Sequence, residues 1–217
     1  MKTFLSIGSG PGIGRATAER FASEGFRTVL TGRSSAKLDG VASKLTSKGY
    51  TVETAALDAS RPEAIRALIA DLSEKHGAID VVHYNAASLR QATIEEQPAD
   101  TFVTDLAVNI GGAMAAIQAV EGPMAMRREG TILLTGGGLA FAPSPSFISL
   151  SIGKAGLRAL ALGLFESLKA KGIHIGIVNV AAAVAAESPT SVNIADEFWK
   201  LYESPKDQWV AEVTYSE

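Results

Sequence analysis

A chain of 217 residues, 47% hydrophobic and 20% charged, has enough apolar mass to bury a sizeable core and too little length for a second large folding unit. A formal net charge of -3 supplies no basic surface for nucleic acid, and the absence of cysteine removes disulfides, thiolate nucleophiles and thiolate metal sites together. No charged segment leads into an apolar run at the start and no uninterrupted apolar span has bilayer length, so the expectation is a cytoplasmic protein that is neither exported nor inserted in a membrane.

The first predicted element is a short apolar strand, Thr3–Ile7. It runs straight into Gly8-Ser9-Gly10-Pro11-Gly12-Ile13-Gly14 and then into a helix over Arg15–Ala22. Glycines suit this place because the chain must turn sharply, let a phosphate approach bare backbone and pack the new helix on the strand. The helix N-terminus then adds free N–H donors and the positive end of its dipole. Further strands are predicted at Thr28–Thr31, Thr51–Leu57, Ile79–Tyr84, Thr131–Thr135, Ile173–Val180 and Trp209–Tyr215. Helices alternate with them at about Ser35–Ser47, Pro62–His76, Ala99–Arg127 and Ser149–Lys171. This alternation, with Val/Ile/Leu-rich strands, predicts a doubly wound parallel α/β sheet of about seven strands, covered by helices on both faces, in one domain spanning 1–217. A ligand then belongs at the carboxyl ends of the strands, where the strand order reverses beside the first strand.

At those strand ends stand residues with a recognisable order. The spacing Gly8-x-x-x-Gly12-x-Gly14, then Asp58, Asn85-Ala86-Ala87, Asn109 in a long helix and Lys154 early in the next resembles the short-chain dehydrogenase/reductase family over nearly the whole chain. The resemblance implies a Rossmann-type domain that binds NAD(H) or NADP(H), assembles as a dimer or tetramer and catalyses reversible alcohol–carbonyl hydride transfer. It places Gly8, Ser9, Gly12, Ile13, Gly14, Arg33, Ser34, Asp58, Asn85, Ala86 and Lys154 around the cofactor. The residues agree in part on their own chemistry. Asp58 ends a strand where its carboxylate can accept from an adenine amino group, while Ser60 is the better expected cap for the helix beginning near Pro62. Asn85 can brace neighbouring strands. The slot about 20 residues beyond the glycine turn, where a carboxylate would take the ribose 2′-hydroxyl, holds Gly32, followed by Arg33 and Ser34; a guanidinium and a helix start there favour NADP(H) over NAD(H).

The catalytic positions depart from the family. The family's Tyr-x-x-x-Lys pair reads Leu150-Ser151-Ile152-Gly153-Lys154 here, and its serine after the fifth strand is replaced by Gly136-Gly137-Gly138, with Gly137 in the serine position. Of the family's four catalytic residues, Asn109 and Lys154 remain. Substitute hydroxyls are Tyr84, Thr135, Ser149 and Ser151. Tyr202-x-x-x-Lys206 matches the pair formally, but Pro205 interrupts it. Two functions follow: an oxidoreductase with an incomplete catalytic set, or a dinucleotide-binding sensor or regulatory subunit without turnover. A hydrolase reading of Ser151-x-x-Lys154 lacks companion motifs. The three histidines share no metal-ligand spacing. The usual substrate loop is read as compressed into Glu187–Glu197. In Ala107–Met126 and Ser149–Leu168 apolar residues surround most of each helix, so a second copy is expected to cover their outer faces, with Leu160 and Leu164 as candidate contacts.

Overall fold

Seven strands and seven α-helices alternate in the computed structural model, which describes residues 1–216. The order is β1 Thr3–Ile7, α1 Ile13–Ser23, β2 Arg27–Gly32, α2 Ser35–Thr46, β3 Val52–Ala56, α3 Pro62–His76 and β4 Val81–Tyr84. It continues with α4 Thr101–Leu106, α5 Gly112–Arg127, β5 Gly130–Thr135, α6 Ile148–Ala170, β6 Ile173–Ala181, α7 Pro189–Glu203 and β7 Glu212–Ser216. All strands are parallel in the order β3-β2-β1-β4-β5-β6-β7, so the direction of winding reverses between β1 and β4. Such a reversal opens a crevice at the carboxyl ends of the two strands.

Alternation along each strand feeds two cores. Leu5, Val82, Ile132 and Ile175 pack with α3, α5 and α6 on one face; Phe4, Val81, Leu133 and Val178 pack with α1, α2 and α7 on the other. On the second face the Phe4 and Phe21 rings stack at 4.2 Å.

Several expectations need correction. The stretch Glu187–Glu197 is mostly helix: α7 begins at Pro189, capped by the Ser188 side chain on Ser191 N, and buries Ile194, Ala195, Phe198 and Leu201. The predicted helix over Ala99–Arg127 starts at Thr101 and is interrupted by a π-helical turn, Ala107–Gly111, that carries Asn109. The fourth strand starts at Val81, because Asp80 turns its carboxylate to Thr3 N at 2.7 Å. The seventh starts at Glu212, after a 3₁₀ turn at Lys206–Gln208 and after Trp209 has stacked on His174. Ser60 does not cap α3; the N-cap position is Arg61, with no side-chain cap bond. Two stretches, Thr101–Arg127 and Ile148–Ala170, do have the length and apolarity to cross a membrane, each with mean hydropathy 1.4. Both lie against the sheet and contribute to its core. Leu160 and Leu164 pack half-buried against that core, and the exposed large apolar residues of these two stretches are Val103, Met114, Met126, Ile152 and Leu162.

Candidate functional site

The glycine turn is fixed by contacts that exclude side chains. Gly8 has φ +95°, and a Cβ there would stand 2.5 Å from Ala86 N; one on Gly14 would stand 2.5 Å from Gly8 O. Gly12, by contrast, would bring its Cβ no nearer than 3.8 Å to any neighbour. Gly8 and Gly14 therefore serve the fold, while a side chain at Gly12 would meet only ordinary contacts with Val184 and Ala185. Bonds from Arg15 N to Gly10 O and from Ala16 N to Gly12 O begin the helix, and the amides of Gly12, Ile13 and Gly14 have no acceptor among the described residues. Together with the dipole of α1 they form a positive cradle. The Ser9 side chain is directed inward: its Oγ donates to Ser6 O at 3.2 Å and accepts from Thr31 N at 3.0 Å, tying β1 to β2. Asn85 Nδ2 donates to Gly8 O at 2.7 Å, so the expected brace between strands is present.

Above β2, Ser34 caps α2 by accepting from Lys37 N at 3.4 Å. The exposed Arg33 has no hydrogen-bond or ion-pair partner among the described residues. Asp58 Oδ1 accepts from Ser60 N and Ser60 Oγ at 3.0 and 2.8 Å, and these bonds hold the carboxyl below its ordinary pKa. Its second oxygen has no hydrogen-bond partner among the described residues.

At the other end, Lys154 is buried and its Nζ donates to Thr135 O at 2.7 Å. Burial lowers its amine from the usual range to about 8. Thr135 Oγ1 lies 2.9 Å from His83 Nε2, and burial keeps that imidazole neutral, with a pKa of about 3. Asn109 is spent on the loop after β4: its Oδ1 accepts from Ser88 N at 2.7 Å, and Nδ2 lies 3.4 Å from Ser88 O. Gly153 permits this helix crossing, since a Cβ there would sit 2.4 Å from Asn109 Cβ.

A second cluster escaped the sequence reading. Asp105, 2% exposed, accepts from Arg90 Nε at 2.7 Å and Nη2 at 3.2 Å, from Ser88 Oγ at 2.6 Å and from Ser149 Oγ at 3.0 Å. Burial opposes its ionisation, but Arg90, Ser88, Ser149 and Gln97 outweigh it and leave the carboxyl below its usual value. A carboxylate in an apolar helix is a signal that a partner must exist, though not of which one. This cluster fixes the first turn of α6, where Leu150 stands, to the loop after β4.

One groove of about 1250 Å³ runs along the strand ends and is lined by residues from both ends, among them Gly12, Arg33, Asp58, Asn85, Leu150 and Lys154. A smaller cavity of about 400 Å³ opens from it between Arg33 and Arg90. Free amides, an unpaired guanidinium and a carboxylate on one elongated groove fit a phosphate-bearing dinucleotide. Tyr202 lies elsewhere, among Phe21, Phe26 and Trp199 on the other core, so its spacing to Lys206 is a coincidence.

Comparison with known proteins points the same way. The short chain dehydrogenase family profile matches residues 2–195. An uncharacterized oxidoreductase of Staphylococcus saprophyticus is 29% identical over 175 residues, which cover 80% of this chain and 75% of that protein. The probable oxidoreductase EphD of Mycobacterium tuberculosis is 29% identical over 196 residues, 86% of this chain; the match spans 33% of that longer protein. Among solved structures, a metagenomic short-chain oxidoreductase in complex with NADP superposes with a TM-score of 0.91 at 24% identity, over 99% of this chain and 96% of that one.

Proposed function

Because the chain belongs to the short chain dehydrogenase family and is an oxidoreductase, we propose that it transfers hydride between NADP(H), in preference to NAD(H), and a small carbonyl or alcohol. The observation that carries this is the single groove with an amide cradle and a partnerless Arg33 at one end and the buried Lys154 at the other. Gly12, Ile13 and Gly14 hold the pyrophosphate through their amides, Asp58 accepts from the adenine amino group, and Arg33 with the Ser34 helix start takes the 2′-phosphate. Asn85 and Ala86 shape the floor, and Ser9 acts through the strand pair that it joins. Lys154 holds the ribose. Asn109 keeps the loop after β4 in place beside it.

A bound nicotinamide supplies the hydride. Leu150 occupies the family's tyrosine position and Gly137 its serine position, so the wall facing the reacting carbon is apolar. The 2′-phosphate reading is tested by fluorescence titration with NADPH and NADH: NADPH binds at least about tenfold more tightly, a difference of 1.4 kcal/mol. Failure of both to bind overturns the function; equal binding overturns the preference alone.

The same reading carries a cytoplasmic location and assembly as a dimer or tetramer. Met114, Ile152 and Leu162 supply an apolar outer face on α5 and α6 that a twofold copy covers. Leu162→Asp is expected to lower the mass measured by sedimentation. A wild-type monomer at micromolar concentration contradicts the assembly.

A further inference from the structure

Hydride transfer to a carbonyl needs a proton for the oxygen, and the four substitute hydroxyls, Tyr84, Thr135, Ser149 and Ser151, are each engaged elsewhere. Tyr84 Oη donates to Val108 O at 2.5 Å, and burial raises its pKa. Ser149 Oγ donates to Asp105 and Ser151 Oγ to Phe147 O at 2.9 Å. Thr135 Oγ1 shares a hydrogen bond with His83 in the sheet.

Lys154 differs from all four. Its ammonium has three N–H bonds, one of which goes to Thr135 O, and among the described residues no carboxylate pairs with it. The side chain lines the groove next to Leu150 and Gly137. Gly137 contributes by what it lacks: a Cβ there would stand 3.4 to 3.5 Å from Cγ, Cδ and Cε of Lys154, so the glycine leaves that flank of the lysine uncovered.

We propose that Lys154 itself donates the proton to the substrate oxygen in this chain. The inference rests on the oxidoreductase reading above. The carbonyl carbon receives a hydride from a reduced nicotinamide dinucleotide, the π pair moves onto oxygen, and the oxygen takes a proton from Nζ. An O–H bond forms, an N–H bond breaks, and the neutral amine regains its proton from water. Alcohol oxidation runs the same steps backwards. A pKa of about 8 leaves the amine charged at neutral pH and near the value at which a general acid works best. The titratable groups on neighbouring elements do not compete: His83 of β4 is neutral, and Asp105 of α4 is engaged by Arg90, Ser88 and Ser149.

The test compares the wild type, Lys154→Arg and Leu150→Tyr/Gly137→Ser with 9,10-phenanthrenequinone and butane-2,3-dione at saturating NADPH. Arginine keeps donors for a ribose but does not release a proton in this pH range. The wild type is expected to oxidise NADPH with at least one probe. Lys154→Arg is expected to bind NADPH and to lose about 100-fold or more in rate. Independently of turnover, ¹³C NMR of ε-labelled lysine should show one resonance, absent in Lys154→Arg, that titrates near pH 8. No wild-type turnover on either probe, an undiminished rate in Lys154→Arg, or a resonance that stays charged beyond about pH 10 overturns the proposal. NADPH binding without these results leaves the dinucleotide reading standing; no binding by the wild type sinks both.

Discussion

Over β1 and β2 the groove is made of backbone: three free amides, a carbonyl braced by Asn85, and glycines at positions where a Cβ does not fit. Over β4 to β6 it is made of side chains: Asp105, Arg90, Ser88 and Lys154 line it, with Ser149 bonded to Asp105 and Asn109 to the Ser88 backbone, all drawn from segments far apart in the chain. The first end depends on steric permission, the second on buried polar groups satisfying one another. Substitutions should therefore fail in different ways at the two ends.

The largest effect belongs to the second end. Asp105→Ala leaves the Arg90 guanidinium and two hydroxyls without their acceptor, and urea unfolding should register a loss of about 3–5 kcal/mol. The pH dependence follows from the lowered carboxyl. A group whose folded pKa lies below its unfolded value of about 3.9 contributes stability above that value and loses it as pH falls through the folded one. The gap between wild type and Asp105→Ala should thus narrow on acidification below about pH 4. A constant gap down to pH 2 would assign the cost to packing.

Gly8→Ala comes next. It combines φ +95° with a 2.5 Å approach to Ala86 N, and an expected cost of about 2–3 kcal/mol falls on stability and NADPH affinity together. A neutral result would mean that the turn yields more easily than its contacts imply.

Arg33→Ala should separate binding from folding. With no hydrogen bond or ion pair to lose among the described residues, and only a through-space attraction to Asp58, stability should stay within about 0.5 kcal/mol, while NADPH affinity falls by roughly 1.5–3 kcal/mol and NADH affinity holds. Equal losses for both cofactors would give Arg33 another role.

The same contrast explains what the sequence disclosed. The parallel sheet, its strand count and the glycine turn follow from local spacing: a strand, a turn and a helix start are neighbours in the chain. Alternation along β4 turns Tyr84 away from the groove, since Asn85 lines it. The Asp105 cluster joins residues 15 to 44 positions apart, and no periodicity announces such a pairing. Leu160 and Leu164 pack half-buried against the core, a side that the sequence does not choose because α6 is apolar almost all round. The helix α7 was legible and overlooked. Ser188-Pro189 is a cap followed by proline at the first helical position, and Ile194, Phe198 and Leu201 recur at helical spacing. The family pattern places a substrate loop there, whereas this chain's own cap and apolar spacing form a helix.

The central claim is that the backbone end of the groove holds the dinucleotide pyrophosphate. Amide chemical shifts of the ¹⁵N-labelled chain, recorded during addition of NADPH, test it directly. The account predicts large shifts at Gly12, Ile13 and Gly14, accompanied by shifts at Arg33 and Asp58. NADPH binding that leaves the amides of Gly12, Ile13 and Gly14 unmoved would contradict it.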